Sequence, residues 1–421
     1  MDTRPTWMRL LARKKSSGSL RRKRSDIEQS QQSSVTPSDQ KSREVKSAPY
    51  RDARYGILLA TKGSFMDEDK HGIAEHSKIL VQRLLSQEHP VPQESLFRDD
   101  LFKMTCRKIK DENEARVIRD ISLLIVPSAD LLATYGASEL ECLTESVNAG
   151  WNNSIPLTPT RPQPDYAVGF RREAFTEEQL SKLRPFVGNL FEQSYFMATY
   201  YMYFPFLTCE VKCGVGALDV ADRQNAHSMT LAVRAVVELF RLVKRDKELD
   251  REILAFSISH DPRSVRIYGH YAVIEEEKTT FYRHPIRTFD FTELEGRDKW
   301  TTYKFTKSVY QKWMPSHFVR LCSVIDTLPT DVDFELSQST LQFSEQTGLS
   351  QDLANQDLSA SNTDLASSAQ DNDGQSQPLA LLGTPDTSIT RDSVRGQEAG
   401  QEAGKEAVVD DGPQDELRLL S

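Results

Sequence analysis

The chain has 421 residues and a formal net charge of −9, with 38% hydrophobic and 27% charged residues. It has no apolar run of about 18 residues and no apolar core at its amino terminus, so we expect neither a membrane span nor a signal peptide. Its five cysteines lack paired spacing, which predicts an intracellular protein with reduced thiols rather than a disulfide framework.

Charge divides the chain into three parts. Residues 1–54 carry 14 Lys or Arg against 6 Asp or Glu, whereas residues 331–421 carry 4 against 18. Both tails are too polar to offset the conformational entropy of folding, which predicts disorder. Residues 55–330 remain as a single α/β domain, large enough for a substantial core.

Two basic clusters, Arg13–Lys15 and Arg21–Arg24, lie in the amino-terminal tail. Such clusters are typical of nuclear-localisation signals and of arms that bind nucleic acid. The alternative is a solvated basic tail that no receptor binds. The hypothesis drawn from them is a nuclear location.

Residue patterns predict elements along the first half of the domain. The ranges are a strand at 55–60, a helix at 72–87, a strand-like run at 121–127, a helix at 137–149, a strand at 165–170 and a helix that begins with a capping box at Thr176. The three histidines at 71, 76 and 89 have no metal-binding spacing.

The second half of the domain starts with an aromatic stretch at 195–206. Core packing explains these rings better than base stacking does. Next comes the strongest helical pattern of the chain, at 219–249. Strands are predicted at 253–260, 264–274 and 280–292, and an interrupted helix at 299–328.

The stretch 204–213 begins with apolar and aromatic residues and then contains a carboxylate and an ammonium group two residues apart. It is predicted to be a buried strand with Glu210 and Lys212 on one face and three other residues, Cys209, Val211 and Cys213, on the opposite face. Buried charges are costly unless they have a partner, such as a metal ion or an anionic substrate. The alternative is a Glu–Lys salt bridge with a surface Asp nearby.

The predicted order of a helix, two strands, a helix and a strand, with Pro164-Asp165 followed by Glu210-Val211-Lys212, resembles the PD-(D/E)XK nuclease superfamily. The resemblance covers residues 137–275. The wider stretch 55–330 also resembles an uncharacterised fungal family built around the same core. The strings that carry this second resemblance are Gln163–Tyr166, Cys209–Gly214, Asp222–Ser228 and Arg297–Trp300.

The resemblance implies a restriction-endonuclease-like core, a mixed sheet flanked by helices, that hydrolyses nucleic-acid phosphodiesters with Mg²⁺ or Mn²⁺. Asp165 and Glu210 would bind the metal, with Glu145 completing the site from the first helix. Lys212 would orient or deprotonate the attacking water, and Gln224 would assist from the second helix. Catalysis predicts that the acids and the lysine converge at the mouth of a cleft.

The sequence departs from the pattern of the PD-(D/E)XK superfamily in two ways, and both affect the residues expected on helices. Asp165 and Glu210 are separated by 44 residues, a long gap, and Ser228 stands where one nuclease branch has Tyr. Glu145 is equally explained as part of a solvated helix face, and Gln224 as a polar cap.

Two other functions stay open. One is a nuclease-like fold without turnover that binds nucleic acid or protein. The other is an intracellular partner-binding domain, which predicts an apolar surface patch.

Overall fold

The computed structural model describes residues 46–188, 192–214, 217–276 and 278–329. The basic clusters and the tails predicted to be disordered lie outside these residues, except for 46–54.

A seven-stranded mixed sheet flanked by helices forms the domain, as the sequence predicts. Its strands are β1 (Leu143–Val147), β2 (Tyr166–Phe170), β3 (Met197–Thr199), β4 (Met202–Val211), β5 (Ile253–His260), β6 (Ser264–Glu275) and β7 (Lys278–Asp290). The order is β1-β2-β4-β5-β6-β7, with β3 beside β4. Only β4 and β5 among these pairs are parallel.

The helices cover the sheet and make up the segment before it. They are α1 (Tyr55–Thr61), α2 (Glu75–Ser86), α3 (Asp99–Ile109), α4 (Glu114–Val117), α5 (Leu123–Ile125), α6 (Ala129–Thr134), α7 (Glu177–Val187), α8 (Ala217–Leu242), α9 (Thr301–Ser308) and α10 (Met314–Asp326). None of the described helices is long and apolar enough to cross a membrane.

Strand β4 is central because every one of its residues is buried. It pairs with β2 on one side and with β5 on the other. A parallel pair needs a crossover connection, and α8 provides it. On the inner face of α8, the Asn225 amide donates to Ile258 O at 2.9 Å and accepts from the Thr208 hydroxyl at 2.7 Å. These bonds fix α8 over the carboxyl ends of β4 and β5.

Three predicted elements have the wrong secondary structure, and the first is the strand predicted at 55–60, which is helix α1. The other two lie nearer the sheet. Residues 137–149, predicted as a helix, contain a short 3₁₀ turn and then β1, which pairs antiparallel with β2. The apolar run 121–127, predicted as strand-like, is mostly helical. Both segments are short, and pairing or packing with neighbours overrides local periodicity there.

The residues just before the predicted domain boundary pack against it. Residues 46–51 are helical, and Tyr50 is 2% exposed. They lead into α1, where a strand was predicted; its Tyr55 and Leu59, one helical turn apart, pack with Tyr50 on Ala226 of α8. We call residues 46–54 the amino-terminal segment.

Candidate active site at the ends of β2 and β4

The structure brings Asp165, Glu210 and Lys212 together. Tyr166 of β2 lies opposite Cys209 of β4, so Asp165, one residue earlier, lies across from Glu210 on the same face of the sheet. Lys212 follows two residues after Glu210 and shares that face. The site is built where the amino end of β2 meets the carboxyl end of β4.

The Lys212 ammonium group connects the acids. Its Nζ atom lies 3.6 Å from Asp165 Oδ2 and 3.6 Å from Glu210 Oε2. It also donates to Val211 O at 2.8 Å, while the Val211 amide donates to Asp165 Oδ2 at 2.9 Å. The trio is thus held by the backbone of β4 as well as by charge.

A fourth charged residue, Glu114, reaches this site from the first turn of α4. Its Oε1 atom lies 3.2 Å from Lys212 Nζ, and Asn113 caps the helix by accepting from the Arg116 amide. Glu114 is therefore the acid that a helix before the sheet contributes.

The fifth charged residue is Lys46 of the amino-terminal segment. Its Nζ atom donates to Asp165 Oδ1 at 2.9 Å, to Gln163 O at 2.8 Å and to Asn148 Oδ1 at 3.2 Å. The Lys46 side chain is 6% exposed. Asp165 is thus bound by two lysines, one on each carboxylate oxygen.

The site is closed, and this corrects the expected position at the mouth of a cleft. Asp165, Glu210 and Lys212 are 4%, 1% and 4% exposed. A surface depression of about 330 Å³ does exist, but none of the three lines it; its residues are Thr144, Arg171, Arg172, Glu173, Tyr200 and Tyr201. The three side chains are therefore enclosed by the surrounding protein.

Burial and neighbouring charges drive the pKa values of the two acids apart. Burial raises the pKa of Glu210 from 4.5 to about 8, against the opposing effect of Lys46. Burial also acts to raise the pKa of Asp165, but Lys212 and Lys46 outweigh it and hold that pKa below its ordinary value. Near neutral pH, Asp165 is an anion and Glu210 is largely protonated.

Lys212 remains a cation in this setting. Burial alone would lower its pKa, but Asp165, Glu210 and Glu114 together raise it above the ordinary value. A lysine held in this form donates hydrogen bonds and stabilises negative charge. It does not act as a general base.

Glu145 lies away from the trio, which corrects its expected place in the metal site. It belongs to β1 and lies opposite Val168, so its side chain is on the face opposite to Asp165. There its carboxylate accepts from the hydroxyl groups of Ser128 at 2.8 Å and Tyr166 at 2.7 Å. Ser128 caps α6, so Glu145 stabilises that helix start.

Gln224 lies in the first turns of α8 and is 3% exposed. Its Oε1 atom has no hydrogen-bond partner within the described part of the chain, and the same holds for Glu210 Oε2. Buried polar atoms are normally hydrogen-bonded, and Glu210 Oε2 has instead the ion pair with Lys212 Nζ at 3.6 Å. Gln224 is not bonded to the trio there.

The oxygen atoms at this site suit a hard divalent cation. Mg²⁺ and Mn²⁺ prefer carboxylate and carbonyl oxygens, and Asp165, Glu210, Gln163 O and Asn148 Oδ1 supply both kinds. Among the described residues, no group of three or more His, Cys, Asp or Glu is arranged to hold a metal ion. The carbonyl oxygens of Gln163 and Asn148 beside Asp165 are bonded by Lys46.

Sequence patterns did not indicate two residues of this site, Lys46 and Glu114. Lys46 is in a Glu-x-Lys string of the basic tail, and tail composition gives no sign that it folds onto the domain. Glu114 follows Asn113, whose place before a helix is the signal that could have identified it, because acids are favoured in a first helical turn.

One protein-family model matches the chain over residues 101–325, and its description is "domain of unknown function (DUF7924)". The match covers more than half of the chain. This protein belongs to the DUF7924 family. The matched DUF7924 region contains Glu114, Asp165, Glu210 and Lys212, whereas Lys46 precedes it. Among curated proteins, none matches the chain.

Proposed function

We propose that this protein is a metal-dependent nuclease that hydrolyses phosphodiester bonds of nucleic acids. The observation that carries the proposal is the meeting of Asp165, Glu210 and Lys212 at the ends of two adjacent strands. Phosphodiester hydrolysis needs groups that neutralise charge on the phosphate and orient a water. Two acids and a cationic lysine are suited to that task.

The element order supports the same proposal. The helical residues around Glu114, then β1, β2, β4, α8 and β5 give the order of a helix, three strands, a helix and a strand, with further short helices before β1 and with α7 and β3 inserted between β2 and β4. This is the core order of the PD-(D/E)XK superfamily, with β1 in place of the helix expected at 137–149. In this arrangement Glu114 takes the role expected for Glu145.

Each residue then has a part in the reaction. Asp165 and Glu210 would hold Mg²⁺ or Mn²⁺ through their carboxylates, with the Glu210 proton released to solvent. Lys212 stays charged and positions the water and the anionic phosphate. Gln224 binds a phosphate oxygen or water near the trio. The bound metal supplies Lewis-acid stabilisation of phosphate charge and lowers the pKa of a coordinated water.

The basic tail contributes to substrate binding in this proposal. Its lysines and arginines provide affinity for DNA or RNA that does not depend on sequence and weakens with salt. A nuclear location fits the basic clusters.

One observation favours a second candidate, a nuclease-like fold that binds nucleic acid or protein without turnover. The acids are already paired with Lys46 and Lys212, and the whole group is buried. Such a network also serves as a structural element of an inactive domain. This candidate predicts a folded protein that cleaves nothing.

The test is cleavage of plasmid and single-stranded DNA and RNA by the full chain with Mg²⁺ or Mn²⁺. We expect Lys212→Met to lower the rate at least about 100-fold, with circular dichroism showing an intact fold. Lys278→Ala is the matched control: it belongs to another Glu-x-Lys string, Glu276 to Lys278, and is exposed. Cleavage by Lys212→Met at the wild-type rate would contradict the proposal, and a folded but inactive wild type would favour the second candidate.

A further inference from the structure

The environment of the Lys46 ammonium group has the chemistry of a cation site. Its three hydrogen-bond acceptors, at 2.8–3.2 Å, are a carboxylate oxygen of Asp165, the backbone carbonyl of Gln163 and the side-chain carbonyl of Asn148. Carboxylate, backbone carbonyl and amide oxygens are also the ligands of hard divalent cations. The Glu210 Oε2 atom, which has no hydrogen bond within the described part of the chain and lies 3.6 Å from Lys212 Nζ, is buried in the adjoining part of the site.

The oxygens of this site are held in place without Lys46. Asn148 ends β1 with a positive φ of 50°, a conformation that Asn tolerates better than most residues. The Gln163 side chain donates to the backbone carbonyl of Asn148 at 2.9 Å. The backbone N–H of Asn148 donates to the backbone carbonyl of Asp165 at 3.0 Å. The link between β1 and β2 therefore preforms the acceptors.

Lys46, in contrast, belongs to the amino-terminal segment and not to the sheet that holds its acceptors. It lies outside the family match, which contains the acceptors. One helical turn after Lys46, the Tyr50 hydroxyl contacts His227 Nδ1 at 2.9 Å and the Tyr50 carbonyl accepts from Arg223 at 2.6 Å. Both partners are on α8, so the segment bridges the β1–β2 link and α8 above the acids.

We propose that the Lys46 ammonium group occupies a divalent-cation site, and that a bound cation displaces Lys46 and lifts the amino-terminal segment from the acids. The segment is thus a built-in competitor of the metal, and its release opens the buried trio. The inference rests on the proposed function for the chemistry that the cation serves, but its test measures binding and exposure rather than cleavage.

The first experiment labels surface amines of the full wild-type chain with an acetylating ester, followed by peptide mass spectrometry. Lys46 is expected to be protected without metal and to react roughly tenfold faster in millimolar Mn²⁺. Lys62, which is exposed, should react equally in both states, and potassium chloride at the same ionic strength should not expose Lys46. Unchanged protection of Lys46 under saturating Mn²⁺ would overturn the inference.

The second experiment removes the competitor. Lys46→Met keeps much of the side-chain volume and is expected to bind Mn²⁺ at least about tenfold more tightly than wild type by calorimetry, whereas Lys62→Met should not change the affinity. Equal affinities, or no binding in either protein, would overturn the inference. If Lys46→Met does not fold, the labelling of wild type still shows whether Mn²⁺ displaces Lys46.

The two proposals fail differently. Exposure of Lys46 by Mn²⁺ without any cleavage would support the competition and refute the nuclease. Cleavage by a protein whose Lys46 stays protected would support the nuclease and refute the competition.

Discussion

Asp165 and Glu210 face one another across a strand pair, yet they hold their protons differently. Asp165 accepts from the Val211 amide and from Lys46, while Glu210 has an oxygen with no hydrogen-bond partner in the described part of the chain. Bonds to the charged form lower a pKa and burial without them raises it. The same buried site therefore contains one anion and one largely neutral acid at neutral pH.

Glu210→Gln should make the protein more stable at high pH. The pKa of Glu210 is raised from 4.5 to about 8 in the folded state, so the folded protein retains a proton that the unfolded chain releases between these values. Stability from this group is complete below pH 4.5 and falls by about 1.4 kcal/mol per pH unit up to about pH 8. The glutamine side chain of the variant does not ionise, so the variant does not lose this stability as the pH rises.

Urea unfolding of both proteins at pH 5 and pH 8.5 measures this difference. The free energy of unfolding of Glu210→Gln relative to wild type should rise between the two pH values. A constant difference across that range would show that Glu210 is ionised in the folded protein.

Asp165→Asn should destabilise the folded protein at pH 7. It removes a carboxylate that pairs with two buried lysines, and breaking a buried pair in this way costs about 3–5 kcal/mol. Because the pKa of Asp165 is lowered, its contribution is present above its ordinary value of 3.8 and is lost as the pH falls further. Chemical unfolding at pH 7 measures the loss.

The exposed pair of Asp52 with Arg54 provides the control for this loss. Asp52→Asn should leave the free energy of unfolding nearly unchanged. An Asp165→Asn protein as stable as Asp52→Asn would refute the ion-pair account of the site.

Sequence patterns identified the acids and the lysine because they lie within or directly next to regular strands, where alternation fixes the face of each side chain. Lys46 and Glu114 could not be identified in this way. Their contacts with Asp165 and Lys212 span 119 and 98 residues. Such contacts depend on how distant elements pack, and no local pattern contains that information.

Strands β2 and β4 carry the acids, and their spacing depends on Gly169. A Cβ atom there would lie 2.7 Å from Met202 Cγ and 2.8 Å from Tyr203 O. The second contact is with backbone, so β2 would have to shift away from β4. The glycine thereby sets the distance between the strands that end in Asp165 and Glu210.

Gly169→Ala should destabilise the protein by about 1–3 kcal/mol, the usual cost of overpacking. Gly150→Ala is the matched control, because its new Cβ would meet only the Asn152 side chain at 3.4 Å or more. Thermal unfolding of both variants measures the difference. Equal melting temperatures would mean that β2 and β4 tolerate a wider separation.

Helix α8 and strands β2, β4 and β5 were predicted well, and β1 was not. The pattern of α8 extends over many turns, and the runs of β4 and β5 are continuous and apolar, so burial alone specifies them. Strand β1 has only five residues, and its pairing with β2 decides its conformation. Its Glu145 was therefore placed on the wrong element and in the wrong site.

The amino-terminal segment contacts the rest of the domain through the Lys46 ammonium group and through Tyr50, and Tyr55 of α1 joins the contacts of Tyr50. Lys46 contacts Asp165, and both Tyr50 and Tyr55 contact His227 Nδ1. Burial lowers the pKa of His227 to about 3, so this cluster is neutral in ordinary buffers. The amino-terminal segment was grouped with the basic tail of residues 1–54 on composition, because composition reports average polarity and not specific contacts.

A chain that starts at residue 55 should be less stable than one that starts at residue 46. The shorter chain lacks Lys46 and Tyr50, and we expect its melting temperature to be lower by about 5 °C or more. Calorimetry in a metal-free buffer compares the two. Identical melting temperatures would show that the segment contributes nothing to the fold.

The proposed function assigns divalent-cation-dependent cleavage of nucleic acid to Asp165, Glu210 and Lys212. The most direct measurement is the cleavage rate of a fluorescent oligonucleotide in Mn²⁺ by wild type and by Glu210→Gln. This variant keeps the shape and neutrality of the buried acid, so it should fold normally and yet cleave at least about 100-fold more slowly. A folded Glu210→Gln protein that cleaves as fast as wild type would contradict the claim.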